Sequence, residues 1–422
     1  MLLERLRNGG CEDFLRKAQF GFRAKHSTAQ AIFMAKRLID QTLDTKSDKL
    51  SIILLDWSKA FDRLRPESML LALKRFGIPT EFLDMISAVY SDRTFSISDC
   101  GVTSSTKPQE SGIAQGCPLS PYLFVLVLSV IFADVDKKIE NKPDIFLKGV
   151  SRHVFDISYA DDTFLAGTDA NSLQEYLHCL IDVASHYGLE PNWDKTIHMR
   201  IQHAGHILTP SGDNIKTATQ ATYLGSLLTI SGSTATAAGK LVGEAAAAFD
   251  SLCDVWKHAN ISKQRKVDIY QSCVVSKLSF SLECEVLRKR DKDRLDAFHC
   301  RCLRRVLRIP PSWISHVPNN VVLAIANSKP LSSQVLFQQL MLFGKIAKLS
   351  DLYFLRQLTF EPSSLTPTKC IYRRGGRPRL AWQSVLSGLA AGSAPQGIEQ
   401  INSILLGNAS ISAWRQHLTE HF

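Results

Sequence analysis

Two hydrophobic periods divide this chain. In the first half, short runs of strand character are separated by helical ones. Leu50-Ser51-Ile52-Ile53-Leu54-Leu55 is apolar and partly β-branched, long enough for one buried strand. Phe155 to Ala166 places apolar and aromatic residues on both sides of Asp161-Asp162, which predicts two short strands with an acidic pair at their hairpin tip. Helical spacing appears in Ala29 to Leu43 (Ile32, Ala35, Ile39), with His26-Ser27-Thr28 as the cap. It recurs in residues 66 to 92, read as two helices broken at Gly77-Ile78-Pro79, the first packing Met69, Leu70, Leu73 and Phe76. Tyr122 to Ile131 and Ala170 to Tyr187 complete the set, the latter with Leu173, Leu177, Leu180 and Ile181 on one side. Residues 1 to 18 read as a short helix and a turn at Asn8-Gly9-Gly10, and Phe95 to Ser98 as a strand followed by a polar loop to Gln109. After Gly225 the strand signals stop. Ser231 to Thr234 is hinge-like, and helical pattern covers 235–256, 263–282, 292–307, 333–349 and 381–389. The pattern is α+β followed by mostly α.

Candidate chemistry sits where the strands end. Adjacent carboxylates at a hairpin tip repel, and a divalent cation with oxygen ligands relieves the repulsion; a solvated turn is the plain alternative. Asp56 closes the Leu50–Leu55 run, where an acidic residue needs a partner or a metal, or else caps the turn that follows. Between these two places lies the Gly- and Pro-rich loop Ser111-Gly112-Ile113-Ala114-Gln115-Gly116-Cys117-Pro118-Leu119-Ser120-Pro121. Its Gln115 and Gly116 offer amide donors and close backbone approach; a simple loop-to-helix transition with Pro118 near the helix start is the alternative.

The order Leu55-Asp56 with Ala60-Phe61-Asp62, then Gly112 to Pro121, then Tyr159-Ala160-Asp161-Asp162, resembles the palm of reverse transcriptases, and more narrowly those of LINE-type, non-LTR retrotransposons. Gln19-Phe20-Gly21-Phe22-Arg23 with Ser27-Thr28, Gly188-Leu189 with Asn192 and Lys195-Thr196, and Tyr223-Leu224-Gly225 match flanking motifs in the right order. Six ordered motifs leave little room for coincidence. The resemblance implies a right-hand polymerase: partial fingers and an antiparallel palm in 1–230, a helical thumb in 231–310, and a basic helical C-terminal region in 311–422. In complete relatives an endonuclease domain and a larger fingers segment precede Gln19. Their absence here implies an N-terminally truncated chain, or a separate chain that supplies them.

The same resemblance assigns roles. Asp56 and Asp161 are the main ligands of two Mg²⁺ ions (Mn²⁺ as substitute), with Asp162 supporting the one nearest the primer. Phe61 takes the steric-gate position that selects deoxynucleotides, or is ordinary core. Gln115, Gly116, Lys195 and Arg23 face the nucleotide, although Lys195 and Arg23 are equally readable as surface charges. Tyr223 and Gly225 belong to the primer grip.

Composition changes the picture modestly. A net charge of +10 favours a polyanionic partner. Arg288 to Arg308 holds nine Lys/Arg against three Asp, and Arg301, Arg304, Arg305 and Arg308 can share a helix face for duplex phosphates, or form a solvated face. Arg374 and Arg377, in Arg373-Arg374-Gly375-Gly376-Arg377-Pro378-Arg379, suit a nucleic-acid backbone. Ten cysteines without a CxxC pair read as free thiols in a reducing compartment. The apolar run at Tyr122 is too short to cross a bilayer, and the charged N-terminus lacks a signal-peptide core. The expectation is a soluble intracellular protein, nuclear or cytoplasmic, acting on an RNA template, a DNA primer and deoxynucleoside triphosphates as a nucleotidyltransferase of a transposable element. An inactive remnant and a nucleic-acid-binding protein without catalysis stay open beside it.

Overall fold

The computed structural model describes residues 1–140, 154–368, 379–394, 397–407 and 410–421. They form two compact units, Met1–Ala31 with Lys46–Leu224, and Ile32–Thr45 with Gly225–Phe422.

The first unit is built on a four-stranded antiparallel sheet. In chain order its elements begin with β1 (Leu50–Leu55), α1 (Ala60–Arg63), α2 (Pro66–Phe76), α3 (Thr80–Tyr90) and α4 (Ser120–Glu140). They continue with β2 (Val154–Tyr159), β3 (Asp162–Gly167), α5 (Ala170–Ser185) and β4 (Ile197–Ile201). The strand order is β2-β3-β1-β4, so β1 lies inside the sheet and is apolar along nearly its whole length. Register pairs Ser51 with Gly167 and Leu55 with Thr163. One face of the sheet is covered by α4 and α5, whose Leu123, Phe124, Leu128, Leu173, Leu177 and Leu180 are fully buried with Ile53 and Leu165 in one core. α4 is apolar almost all round because it lies inside that core rather than on a surface. The break between α2 and α3 falls where expected: Gly77 ends α2 at φ 99°, a left-handed cap that glycine adopts at little cost, and Pro79 precedes α3.

Two local expectations give way. The strand at Phe95–Ser98 is two separate two-residue pieces, Thr94–Phe95 and Ser98–Asp99, paired within an exposed loop. The turn at Asn8–Gly10 is a wide helical turn with Gly10 at φ 87°.

The second unit is helical. α6 (Thr234–Ser251), α7 (Lys263–Tyr270), α8 (Lys289–Leu307) and α9 (Leu331–Ala347) are its principal elements. Phe249, Tyr270, Leu295, Leu303, Val322, Leu331 and Val335 share one core. Residues on both sides of position 310 contribute to this core. Val322, Leu331 and Val335 complete the same core that α6 and α8 begin, and the boundary between units falls at Leu224–Gly225 rather than at 230. Among the described residues no helix is long and apolar enough to cross a membrane.

Candidate active site

The β1–β3 register determines the site. Leu55 pairs with Thr163, so the next residue in each direction sets Asp56 opposite Asp162. Trp57, 4% exposed, donates from Nε1 to Thr163 Oγ1 at 3.0 Å and fixes the end of β1 against the start of β3. Asn192 N donates to Asp56 O at 2.7 Å, which brings the Gly188–Thr196 turn alongside. Tyr159 pairs with Asp162, so Ala160 and Asp161 are the two turn residues of the β2–β3 hairpin, with Ala160 left-handed at φ 57°.

The three carboxylates feel one another. Burial, and then Asp56, push the Asp161 carboxyl above the usual carboxylate range. Burial, Asp161 and Asp56 push Asp162 up to about 6. A nearby cation is Lys195, with Nζ 4.0 Å from Asp56 Oδ2 and its side chain 70% exposed. Asp161 and Asp162 have a raised affinity for positive charge, and carboxylate oxygens are the hard donors that a hard divalent cation takes. Among the described residues no group of three or more His, Cys, Asp or Glu side chains is placed to hold a metal ion. Mg²⁺ keeps several waters and takes substrate phosphate oxygens, so it asks few ligands of a protein.

The loop ahead of α4 is sewn to α1. Ile113 N donates to Phe61 O at 2.7 Å, Gly112 N to Leu64 O at 2.9 Å, and Gln115 Nε2 to Asp62 Oδ1 at 2.9 Å. Gly112 stands at φ +88°, and a Cβ there would lie 2.8 Å from Asp62 O, so no other residue fits. Gly116 is left-handed too, with open space beside it. Phe61 is half-buried and stacks on Phe124 at 4.8 Å. Asp56, Phe61, Gln115, Gly116, Asp161, Asp162 and Lys195 thus lie on segments joined by direct hydrogen bonds or strand pairing.

Four expected site residues lie elsewhere or are engaged. Arg23 is 7% exposed at its side chain; it pairs with Glu12 at 3.3 Å and donates to the carbonyls of Arg16, Gln19 and Glu12, so it ties the N-terminal turn rather than facing a nucleotide. Tyr223 is 4% exposed and packs on Phe164 at 5.3 Å; its hydroxyl is buried, and burial and then Asp162 raise its pKa. Such a side chain supports the sheet and does not reach nucleic acid. Arg304 is 7% exposed and donates to Pro310 O at 3.1 Å and Asn319 Oδ1 at 3.0 Å, holding the 310–319 loop. Arg308 is the left-handed cap of α8 and donates to Lys257 O at 2.6 Å. Arg301 and Arg305 are exposed, Arg305 with Asp250 at 3.0 Å. Gly225 is a turn residue at φ +80° against Phe280. Arg374 and Arg377 lie outside the described residues.

Residues not foreseen are Trp57 and Thr163, which lock the strand ends, and Arg16, which bridges Asp156 on β2 and Asp136 on α4. Gln19, buried beside the hairpin turn, is another. Its signal was its place at the head of a Gly- and Phe-containing segment.

An antiparallel sheet that delivers carboxylates from two strand ends to one edge, beside a glycine loop at a helix start, is a nucleotide polymerase palm. The description of the reverse transcriptase (RNA-dependent DNA polymerase) family matches residues 1–228, more than half of the 422. The chain belongs to that family.

Its relatives include the RNA-directed DNA polymerase from mobile element jockey of Drosophila melanogaster, 29% identical over 196 residues, which are 44% of this chain and 20% of the relative. The retrovirus-related Pol polyprotein from type-2 retrotransposable element R2DM of the same fly is 32% identical over 141 residues, 33% of this chain and 13% of the relative. The chain thus spans about a fifth or less of the length of these relatives. Telomerase from Candida tropicalis, in complex with a fragment of telomeric RNA, covers 84% of this chain and 54% of its own at 11% identity and a TM-score of 0.40.

Proposed function

We propose that this chain is the RNA-directed DNA polymerase portion of a non-LTR retrotransposon protein, extending a DNA primer on an RNA template. The observation that carries the reading is the register that sets Asp56 opposite Asp162, beside Asp161. In the reaction the primer 3′-hydroxyl attacks the α-phosphorus of a deoxynucleoside triphosphate. A new P–O bond forms, the bond to the β,γ-phosphates breaks, and pyrophosphate leaves with the electron pair.

Asp56 and Asp161 would hold two Mg²⁺ ions, with Asp162 in support; such ions supply charge neutralisation at the phosphates and a lowered pKa at the attacking hydroxyl. Phe61, held by its stack on Phe124, bounds the space for the sugar, where an aromatic ring excludes a 2′-hydroxyl. Gln115 is aimed by Asp62, and the free space at Gly116 lets a base and sugar approach the backbone. Lys195, mostly exposed and 4.0 Å from Asp56, would meet the departing pyrophosphate. Arg301 and Arg305, exposed on α8 along with Lys289, Arg290 and Arg294, serve duplex phosphates. Together these groups do what phosphoryl transfer asks of a protein, positioning and charge stabilisation.

The test is template and sugar preference. Labelled dTTP on poly(rA)–oligo(dT) with Mg²⁺ should be incorporated, UTP should not, and Phe61→Val should admit UTP. A folded protein that binds the RNA hybrid without extending it would make the chain a binding protein instead.

A further inference from the structure

One buried polar side chain touches the turn that carries the two hairpin carboxylates. Gln19 is 1% exposed. Its Oε1 accepts from Gly21 N at 2.8 Å and from Ala160 N at 3.2 Å. The chain around it runs beside the outer edge of β2: Ser158 N donates to Ala18 O at 3.0 Å, and Phe20 N donates to Ser158 O at 2.8 Å. Ala160 is the residue whose φ of 57° turns the hairpin, a left-handed conformation that an alanine leaves unless its surroundings hold it. Ala160 is itself 5% exposed, so its amide needs an acceptor inside the protein. Gly21 completes the fit, since a Cβ there would come within 2.4 Å of Ala160 N.

We infer that Gln19 is a positioning residue for the catalytic hairpin: its amide oxygen holds the Ala160 turn left-handed and so fixes where Asp161 and Asp162 stand. The inference rests on the reading of those carboxylates as metal-holding groups. Gln19 itself touches neither metal nor substrate. Positioning partners of ligand groups are commonly worth ten- to a hundredfold in metal affinity. Loss of the acceptor should therefore loosen the turn, lower metal affinity and slow turnover while leaving the fit of the nucleotide nearly unchanged.

The test compares Gln19→Met, which keeps the length and removes the acceptor, with the double variant Gln19→Met/Ala160→Gly. Glycine adopts a left-handed φ without help. Mn²⁺ binding is followed by electron paramagnetic resonance, alongside kcat and KM for dTTP on poly(rA)–oligo(dT) and thermal melting. Gln19→Met is expected to weaken Mn²⁺ binding and lower kcat by about tenfold or more, with KM changed by less than about threefold. The double variant should recover most of both losses. Wild-type Mn²⁺ affinity and kcat in Gln19→Met would overturn the inference. So would a folded double variant that stays as impaired as the single one, because the effect would then not run through the turn. If Gln19→Met melts too low to assay, the double variant still decides, since it must fold and bind Mn²⁺ near the wild-type affinity. Asp161→Ala is run beside them: its retaining Mn²⁺ binding and extension would sink the proposed function itself, and the inference with it.

Discussion

Replacing Arg16 by methionine should loosen the sheet edge that carries the acidic hairpin. Its Nε and one terminal nitrogen each lie 2.6 Å from the Asp156 carboxylate, and the other terminal nitrogen lies 2.8 Å from Asp136. The side chains of Arg16 and Asp156 are 12% and 5% exposed, and the guanidinium also sits over the Phe132 ring at 4.8 Å. Burial works against the charge on Arg16, and Asp156 beside it more than offsets this, so the guanidinium pKa rises. Methionine keeps most of the apolar stem and removes the cation that two carboxylates face. Breaking a buried pair from one side costs about 3–5 kcal/mol, so the strand should open roughly 10²- to 10⁴-fold more often. Hydrogen exchange of the peptide covering 154–167 reads this directly. The Asp156→Asn change made together with Arg16→Met should return a large part of the loss. A change in exchange smaller than about fivefold (roughly 1 kcal/mol), or strict additivity of the two substitutions, would refute the argument.

Four further outcomes follow from the same geometry. The folded Asp162 carboxyl, raised to about 6 from a usual value near 4, holds its proton more tightly than the unfolded chain does; without metal its ionisation costs stability above pH 6, and that cost fades as pH falls. Asp162→Asn should therefore melt higher than wild type in EDTA at pH 8, by about 1 kcal/mol after solvent screening, with the gap about halved at pH 5 and closed below about pH 4; an equal gap at pH 8 and pH 4 would contradict this. Tyr223→Phe removes a buried hydroxyl that has no hydrogen-bond partner among the described residues and should raise stability by about 1 kcal/mol in urea titrations while extension persists. Gly112→Ala, forced to φ +88° against Asp62, should cost at least about 1–3 kcal/mol in the same titrations. Arg301→Ala and Arg305→Ala should weaken hybrid binding with a shallower salt dependence, while Arg304→Ala should lower the melting temperature, each read by binding at several salt concentrations and by thermal melts.

Much of the first unit was legible from the sequence because its signals are local. A six-residue apolar run became β1, and an acidic pair between apolar runs became a hairpin tip. The place of Asp56 at the end of β1, opposite the hairpin, was readable because a charge at a buried strand end demands an explanation within the same few residues. What escaped depends on contacts distant in sequence. Arg16 meets Asp156 and Gln19 meets Ala160 across some 140 residues, and nothing in either neighbourhood names the other. The place of Arg304 in the basic stripe on α8 was misread for a related reason. Spacing shows that Arg301, Arg304, Arg305 and Arg308 can share a face, but not that the 310–319 loop folds over Arg304. Nor does the sequence show that Val322, Leu331 and Val335, beyond residue 310, reach back into the core of α6 and α8.

The central claim is that Asp56, Asp161 and Asp162 form one metal-dependent site for DNA synthesis on RNA. Extension of oligo(dT) on poly(rA), titrated with Mg²⁺ for the wild type, Asp56→Asn and Asp161→Asn, tests it most directly. The account predicts saturable Mg²⁺-dependent synthesis by the wild type and none above background from either folded variant. Wild-type-like synthesis by Asp161→Asn, or synthesis that persists in EDTA, would contradict it.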